Sequence, residues 1–244
     1  MKRSFLLPAL LFASVTAASA LDITRWDFNG TSPTTVPGGA STPSPSLGSG
    51  TATVVGGVVG ATSFGSGTAN GGSSDPAVGT APDYAWQTST YPAAAAADTS
   101  AGVSFAVSTL DLENIVISYD LRHSNSSSRY EALQYSTDGI SFTTAAYFTG
   151  AAGDTWFNMR TVDLSGVPGV DNNPNFRFRI VAAFESTALG SGAPNYVASD
   201  TGGTAYATTG TWRFDYVTLS TVPEASSALL TLLGASLTLR RRRD

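Results

Sequence analysis

The 244-residue chain holds one histidine, one lysine and no cysteine, so its chemistry has to come from carboxylates, hydroxyls, amides and aromatic rings. The lack of thiols excludes disulfides, thiolate-held metals, iron–sulfur clusters and a cysteine nucleophile. His123 precedes Ser124-Asn125-Ser126-Ser127-Ser128, which sets an imidazole beside hydroxyls. A catalytic serine of the hydrolase type needs a strained elbow, and no Gly-x-Ser-x-Gly flanks any serine here. His123 therefore reads as a histidine at the end of a strand. Glycoside hydrolysis needs two facing carboxyl groups. The carboxylates open to that role are Asp111, Glu113, Glu131, Asp154, Asp163, Glu185, Asp200 and Asp215. Only Asp111 and Glu113 share a face by spacing, and Asp or Glu at strand ends and turns more often cap local amides. No catalytic residue is assigned. Asp154, Asp171 and Asn173 lie in loops and offer the oxygen donors that structural Ca²⁺ takes, without the spacing of an EF-hand loop. Tyr84, Trp86 and Tyr196 lie in loop-like stretches and are the candidates for stacking on a glycan, because they combine a flat apolar face with a polar tip. No other cofactor is expected.

Composition narrows the field further. At 42 % hydrophobic residues the chain can bury a core, so wholesale disorder is excluded. Residues 21–223 carry seven arginines against 16 aspartates and glutamates, a net charge of −9. Nucleic acid requires a basic surface and is excluded as a partner.

The elements that must position these side chains are strands. Val103, Phe105 and Val107 alternate, as do Ile115, Ile117, Tyr119 and Leu121, the period-2 pattern of half-buried strands. Glu131, Leu133 and Tyr135 share a face. Asp138-Gly139 then predicts a tight hairpin, with the alternation resuming at Ile140, Phe142 and Thr144. Trp156 and Val162 are expected on one face of the next run, with Phe157 and Met159 on the other. Phe176, Phe178 and Ile180, then Trp212, Phe214 and Tyr216, complete the series. Leu21–Phe28 reads as the first strand and Arg213–Leu219 as the last. Between residues 29 and 100, 55 of 72 residues are Gly, Ala, Ser, Thr or Pro, which predicts long loops with about two short strands around Val54-Val55 and Val58-Val59. Seven or more alternating runs with Gly-rich turns and no helical period predict an all-β fold, an antiparallel β-sandwich of the jelly-roll type.

The two ends read differently. Lys2 and Arg3, an apolar run from Phe5 to Ala13, and Ala18-Ser19-Ala20 make up a secretory signal peptide, with cleavage by signal peptidase expected after Ala20 to leave Leu21 first. At the other end come Val222-Pro223-Glu224, 15 uncharged residues from Ala225 to Leu239, then Arg240, Arg241, Arg242 and Arg243. Fifteen helical residues rise about 22 Å, short of a hydrocarbon core of about 30 Å, so this is a weak membrane helix with its arginines held on the cytoplasmic side.

This tripartite tail resembles the PEP-CTERM sorting signal over residues 222–244, with Ala225 where that family carries a second proline. The resemblance implies a Gram-negative exported protein, held for a time at the inner membrane and released by an exosortase. Proteins with this signal accompany extracellular polysaccharide, which makes polysaccharide an expected partner. The runs Tyr135-Ser136-Thr137-Asp138-Gly139 with Phe142, Phe176-Arg177-Phe178-Arg179 and Phe214-Asp215-Tyr216-Val217 also resemble secreted lectin-like and carbohydrate-binding sandwiches. The expected function is thus a non-catalytic surface or matrix protein. A carbohydrate-binding module and a polysaccharide hydrolase are the alternatives.

Overall fold

The computed structural model describes residues 20–76 and 82–222. Residues 1–19 of the expected signal peptide, Ala18 among them, and the tail from Pro223 through Glu224 to Arg240–Arg243 lie outside the described residues. Among the latter, no helix is long and apolar enough to cross a membrane.

Among the described residues, twelve strands form two antiparallel sheets: β1 (Leu21–Trp26), β2 (Thr51–Val55), β3 (Val59–Gly60), β4 (Gly65–Ser66), β5 (Tyr84–Ser89), β6 (Gly102–Ala106), β7 (Ile115–His123), β8 (Tyr130–Ser136), β9 (Thr143–Thr149), β10 (Thr155–Asp163), β11 (Arg177–Ala183) and β12 (Trp212–Thr221). One sheet, called A here, runs β10-β7-β12-β5-β3, with β1 also on β12 and β4 on β5; the other, sheet B, runs β2-β6-β11-β8-β9. The single α-helix among the described residues, α1 (Glu185–Leu189), is little more than one turn.

The core lies between the sheets, where the alternating residues place it. Trp26, Trp86, Trp212 and Phe214 from sheet A meet Phe105 and Phe178 from sheet B, and all six are fully buried. The rings of Trp26 and Phe105 cross from sheet to sheet at 4.9 Å, and Phe105 stacks on Phe178 at 4.8 Å. Such ring pairs add roughly 0.5–1.5 kcal/mol each beyond their buried area. β11 reads Ile180-Val181-Ala182-Ala183 without a polar break because both its faces are covered. Ile180 and Ala182 join the main core, while Val181 and Ala183 pack outward with Tyr130, Ala132, Ala188 and Val197.

Three local expectations change. The segment after β8 is a six-residue loop rather than a two-residue hairpin. The Asp138 carboxylate accepts the N–H groups of Ile140 and Ser141 at 2.8 and 2.7 Å, which holds Ile140 out of the ladder and 82 % exposed. Trp156 and Val162 fall on opposite faces. A bulge between Phe157 and Arg160, with Met159 at φ 56°, shifts the register against β7 and inverts the alternation. Trp156 thus packs outside the sheet with its indole N–H on Ala69 O, and Val162 joins the core. Residues 29–100 hold four strands rather than about two. Tyr84–Ser89, read as loop, is β5, and it pairs with β12 in the middle of sheet A.

Candidate functional site

β12 has two partners in succession along one edge. Its first part pairs with β5, from Trp212↔Thr88 to Phe214↔Trp86, and its last part with β1, from Val217↔Trp26 to Thr221↔Leu21. Between the two pairings the strand bulges, with a register shift against β7 from Asp215 to Thr218 and Tyr216 at φ 45°. Four chain segments bring carboxylates to this split. Asp215 lies in the bulge, and Asp120 of β7 stands directly across the ladder from it. Asp83 immediately precedes β5 and Asp27 immediately follows β1. The neighbours Phe214 and Tyr119 point into the core, so Asp215 and Asp120 occupy the outer face of the sheet.

A glycine-rich segment covers that face. Trp156 Nε1 donates to Ala69 O at 2.8 Å, Asn158 Nδ2 to Gly72 O at 3.0 Å, and Arg213 Nη1 to Ser66 O at 3.3 Å. The backbone N–H groups of Ser74 and Met159 both donate to the Asp120 carboxylate, which uses both its oxygens. The cover carries Asp75, whose Oδ2 accepts from Asn29 Nδ2 at 2.6 Å. The approach is close: a Cβ on Gly67 would fall 1.9 Å from Asp83 Oδ1, so only glycine fits there.

Asp75, Asp83 and Asp215 each offer a carboxylate oxygen within 4.8 Å of the others. Asp215 is fully buried and Asp83 nearly so. Oδ2 of Asp215 and Oδ1 of Asp83 have no hydrogen-bond partner, and neither residue has an ion-pair partner among the described residues. Burial pushes the Asp215 carboxyl well above the usual carboxylate range, against the Ser73 hydroxyl that favours its ionised form; the charges of Asp83 and Asp75 push it further up. Asp83 moves in the same direction, first by burial, with Asp120 and Asp27 adding to it. Two ionised carboxylates at this separation repel by about 3–4 kcal/mol at an effective dielectric constant near 20.

The charges between the sheets are arranged differently. Glu131 of β8 is fully buried and meets two side chains from sheet A. His123 Nε2 lies 3.1 Å from its Oε2, and Arg160 Nε lies 2.8 Å from its Oε1. His123 Nδ1 faces Ser128 O at 2.8 Å, a carbonyl that can only accept, so Nδ1 carries a proton. The Arg160 guanidinium lies between the rings of Phe148 and Phe157, 4.8 Å from each. A Cβ on Gly150 would fall 2.6 Å from the imidazole. The sole histidine is thus the fully buried last residue of β7, packed on Phe157 and Trp212, and it clamps the two sheets together.

The other residues singled out by sequence are dispersed. Asp154 precedes β10 and pairs with Arg122 at 2.5 Å. Asp171 and Asn173 lie beyond the opposite end of the same strand, where Asn173 Nδ2 donates to Thr137 O and Gly169 O. The structure does not bring Asp154 to the other two, because the length of β10 separates them. Asp163 and Asp200 cap Ser165 N and Gly202 N, and Glu185 accepts from Ala193 N. Trp86 and Tyr196 are 0 % and 1 % exposed and offer no open ring face to a sugar. Trp86 packs on Phe28, Phe105 and Phe214, and Tyr196 on Phe184 and Tyr206. Tyr84 is half-buried against the core.

No family model matches the chain, and no curated protein matches it. Among solved structures, the chain is similar to the K3 cleaved adhesin domain of Lys-gingipain from Porphyromonas gingivalis w83. The identity is 12 % and the TM-score 0.31, over 57 % of this chain and 72 % of that one. A likeness of that size carries no argument about function.

Sequence reasoning passed over Asp75 and Asp83 and counted Asp215 only as one carboxylate among eight. Asp215 falls with Arg213 at the polar phase of the alternation Trp212, Phe214, Tyr216, so nothing local marks it as buried.

Proposed function

We propose that the chain is an exported, non-catalytic β-sandwich protein of the cell surface or the extracellular polysaccharide matrix of a Gram-negative bacterium. Signal peptidase removes residues 1–20, and the tail from Val222 holds the body at the inner membrane until an exosortase cuts it near Pro223-Glu224. The observation that carries this reading is the pairing of the first strand with the last, Leu21 opposite Thr221. The chain enters and leaves the sandwich at one point, which suits a body released by cuts on either side of it. Strand order supports a jelly roll. β5 to β12 run as β10-β7-β12-β5 in one sheet and β6-β11-β8-β9 in the other, so later strands return between earlier ones as in two nested Greek keys.

Intact mass and terminal peptide mapping of the protein recovered from its host test the reading. It expects Leu21 at the N-terminus, no peptide from Leu229–Leu239, and recovery outside the inner membrane. A tail retained in the membrane fraction would contradict it. A second reading, a carbohydrate-binding module, draws on an open cleft of about 430 Å³ lined by Thr51, Ser108, Asp138, Asn175 and Arg177, rather than on the buried Trp86 and Tyr196. It expects Arg177→Ala to reduce retention on the host's polysaccharide; unchanged retention would dismiss it.

A further inference from the structure

We propose that the split between β1 and β5 on sheet A is a calcium site, with Asp75, Asp83 and Asp215 as its carboxylate ligands. Two oxygens bound to one ion at about 2.4 Å can be at most about 4.8 Å apart, and the three carboxylates meet that limit among themselves. Proximity alone would not make a site, since acidic residues gather at surfaces without an ion. The second observation is the state of Asp215. Its side chain is fully buried; Oδ1 accepts the N–H of Tyr216 at 2.8 Å, while Oδ2 is buried with no hydrogen-bond partner. Buried polar atoms are almost always satisfied, and a buried charge is paired or coordinates a metal. Nearby Asp120 shows the contrast, because two backbone N–H groups satisfy its oxygens. The fold spends two backbone donors on Asp120 and leaves one oxygen each of Asp83 and Asp215, Oδ1 and Oδ2, open.

The donor set selects the ion. The cluster offers oxygen only; the one histidine is held between the sheets and the chain has no cysteine, so zinc and softer metals lack their ligands. Magnesium keeps most of its waters and takes one or two carboxylates in strict octahedral geometry, whereas calcium accepts several carboxylates at irregular angles. Three carboxylates fixed on three separate segments suit calcium. The ion would tie the cover at Asp75 to the start of β5 and the bulge of β12, where sheet A has no continuous hydrogen-bond ladder. This locus is distinct from Asp154, Asp171 and Asn173. It does not depend on export or on exosortase processing, so the two proposals fail independently.

The test uses the full chain in mild detergent, stripped with chelator and titrated with CaCl₂ or MgCl₂ in parallel calorimetry and thermal unfolding. The expected result is one equivalent of calcium with submillimolar affinity and a Tm raised by about 5–10 °C at saturation. Asp215→Asn and Asp75→Asn should each weaken calcium at least tenfold, with Asp154→Asn and Asp171→Asn unchanged. Asp75 lies on the cover and is half-buried, so its variant keeps the test open should Asp215→Asn fail to fold. No heat and no Tm shift at millimolar calcium, undiminished binding in both Asp215→Asn and Asp75→Asn, or preference for magnesium would each overturn the proposal.

Discussion

Sheet A carries buried charge on both its faces, and the two groups are built on different principles. On the inner face, Glu131 is met by Arg160 and His123, every partner is covered, and the charges compensate within the core. On the outer face, Asp83 and Asp215 are buried beside Asp75 and Asp120, and neither Asp83 nor Asp215 has an ion-pair partner among the described residues. The first group is compensated by its own ion pairs and joins the two sheets. The second is incomplete with protein atoms alone. Burial of charge by itself therefore separates nothing. The partner count tells a structural clamp from a binding site.

Four changes break or sharpen that contrast. Glu131→Gln has the largest expected effect, because it leaves the buried His123 and the half-buried Arg160 without their carboxylate. A loss of about 3–5 kcal/mol in chemical denaturation is expected, equal with and without calcium. A loss that calcium modulates would join the two groups and end the contrast. Gly150→Ala drives a methyl into the imidazole and should cost about 1–3 kcal/mol, again without regard to calcium.

Acid gives a smaller effect, present in chelator and absent with calcium. The folded-state carboxyls of Asp215 and Asp83 are raised above their unfolded values, so the stability they contribute is complete below the usual carboxylate range and is lost as pH rises through the raised values. Chelated protein should therefore gain stability as pH falls from neutral toward the ordinary carboxylate range. Saturating calcium should remove the gain, and Asp215→Asn in chelator should reduce it. Asp138, Asp163 and Asp200 are shifted down by local hydrogen bonds, and their stability is lost only as pH falls below the ordinary carboxylate range, outside this window. Thermal melts across that pH interval read the difference, and a chelated protein that loses stability on acidification would contradict it. Asp154→Asn is the smallest. Its ion pair with Arg122 is 44 % exposed on the aspartate side and should be worth about 0.5–1 kcal/mol, with no change in calcium response.

Much of the frame is legible from alternation alone. β1, β6, β7, β8, β11 and β12 all lie where period-2 runs of apolar residues place them, and β1 and β12 are the first and last strands as expected. The failures have physical causes. β5 is short and lies in a stretch of Gly, Ala, Ser and Thr, so Tyr84 and Trp86 read as loop aromatics when the alternation Tyr84, Trp86, Thr88 was already a strand. The bulge at Met159 inverts the face of Trp156 relative to Val162, and a register shift leaves no mark in residue type. The hairpin signal at Asp138-Gly139 was overridden by the side chain of Asp138, which ties up the next amides. The acidic cluster was illegible for another reason. Asp75 and Asp83 are local neighbours, but Asp215 reaches them only because β12 bulges where β5 stops and β1 begins, a fact of topology.

The most direct measurement is a crystal structure grown with calcium and read at long wavelength for anomalous signal. The account predicts one peak on the outer face of sheet A, about 2.4 Å from oxygens of Asp75, Asp83 and Asp215, with none at Glu131. An ordered cluster whose carboxylates share a proton at neutral pH in millimolar calcium, with no peak beside them, would contradict it.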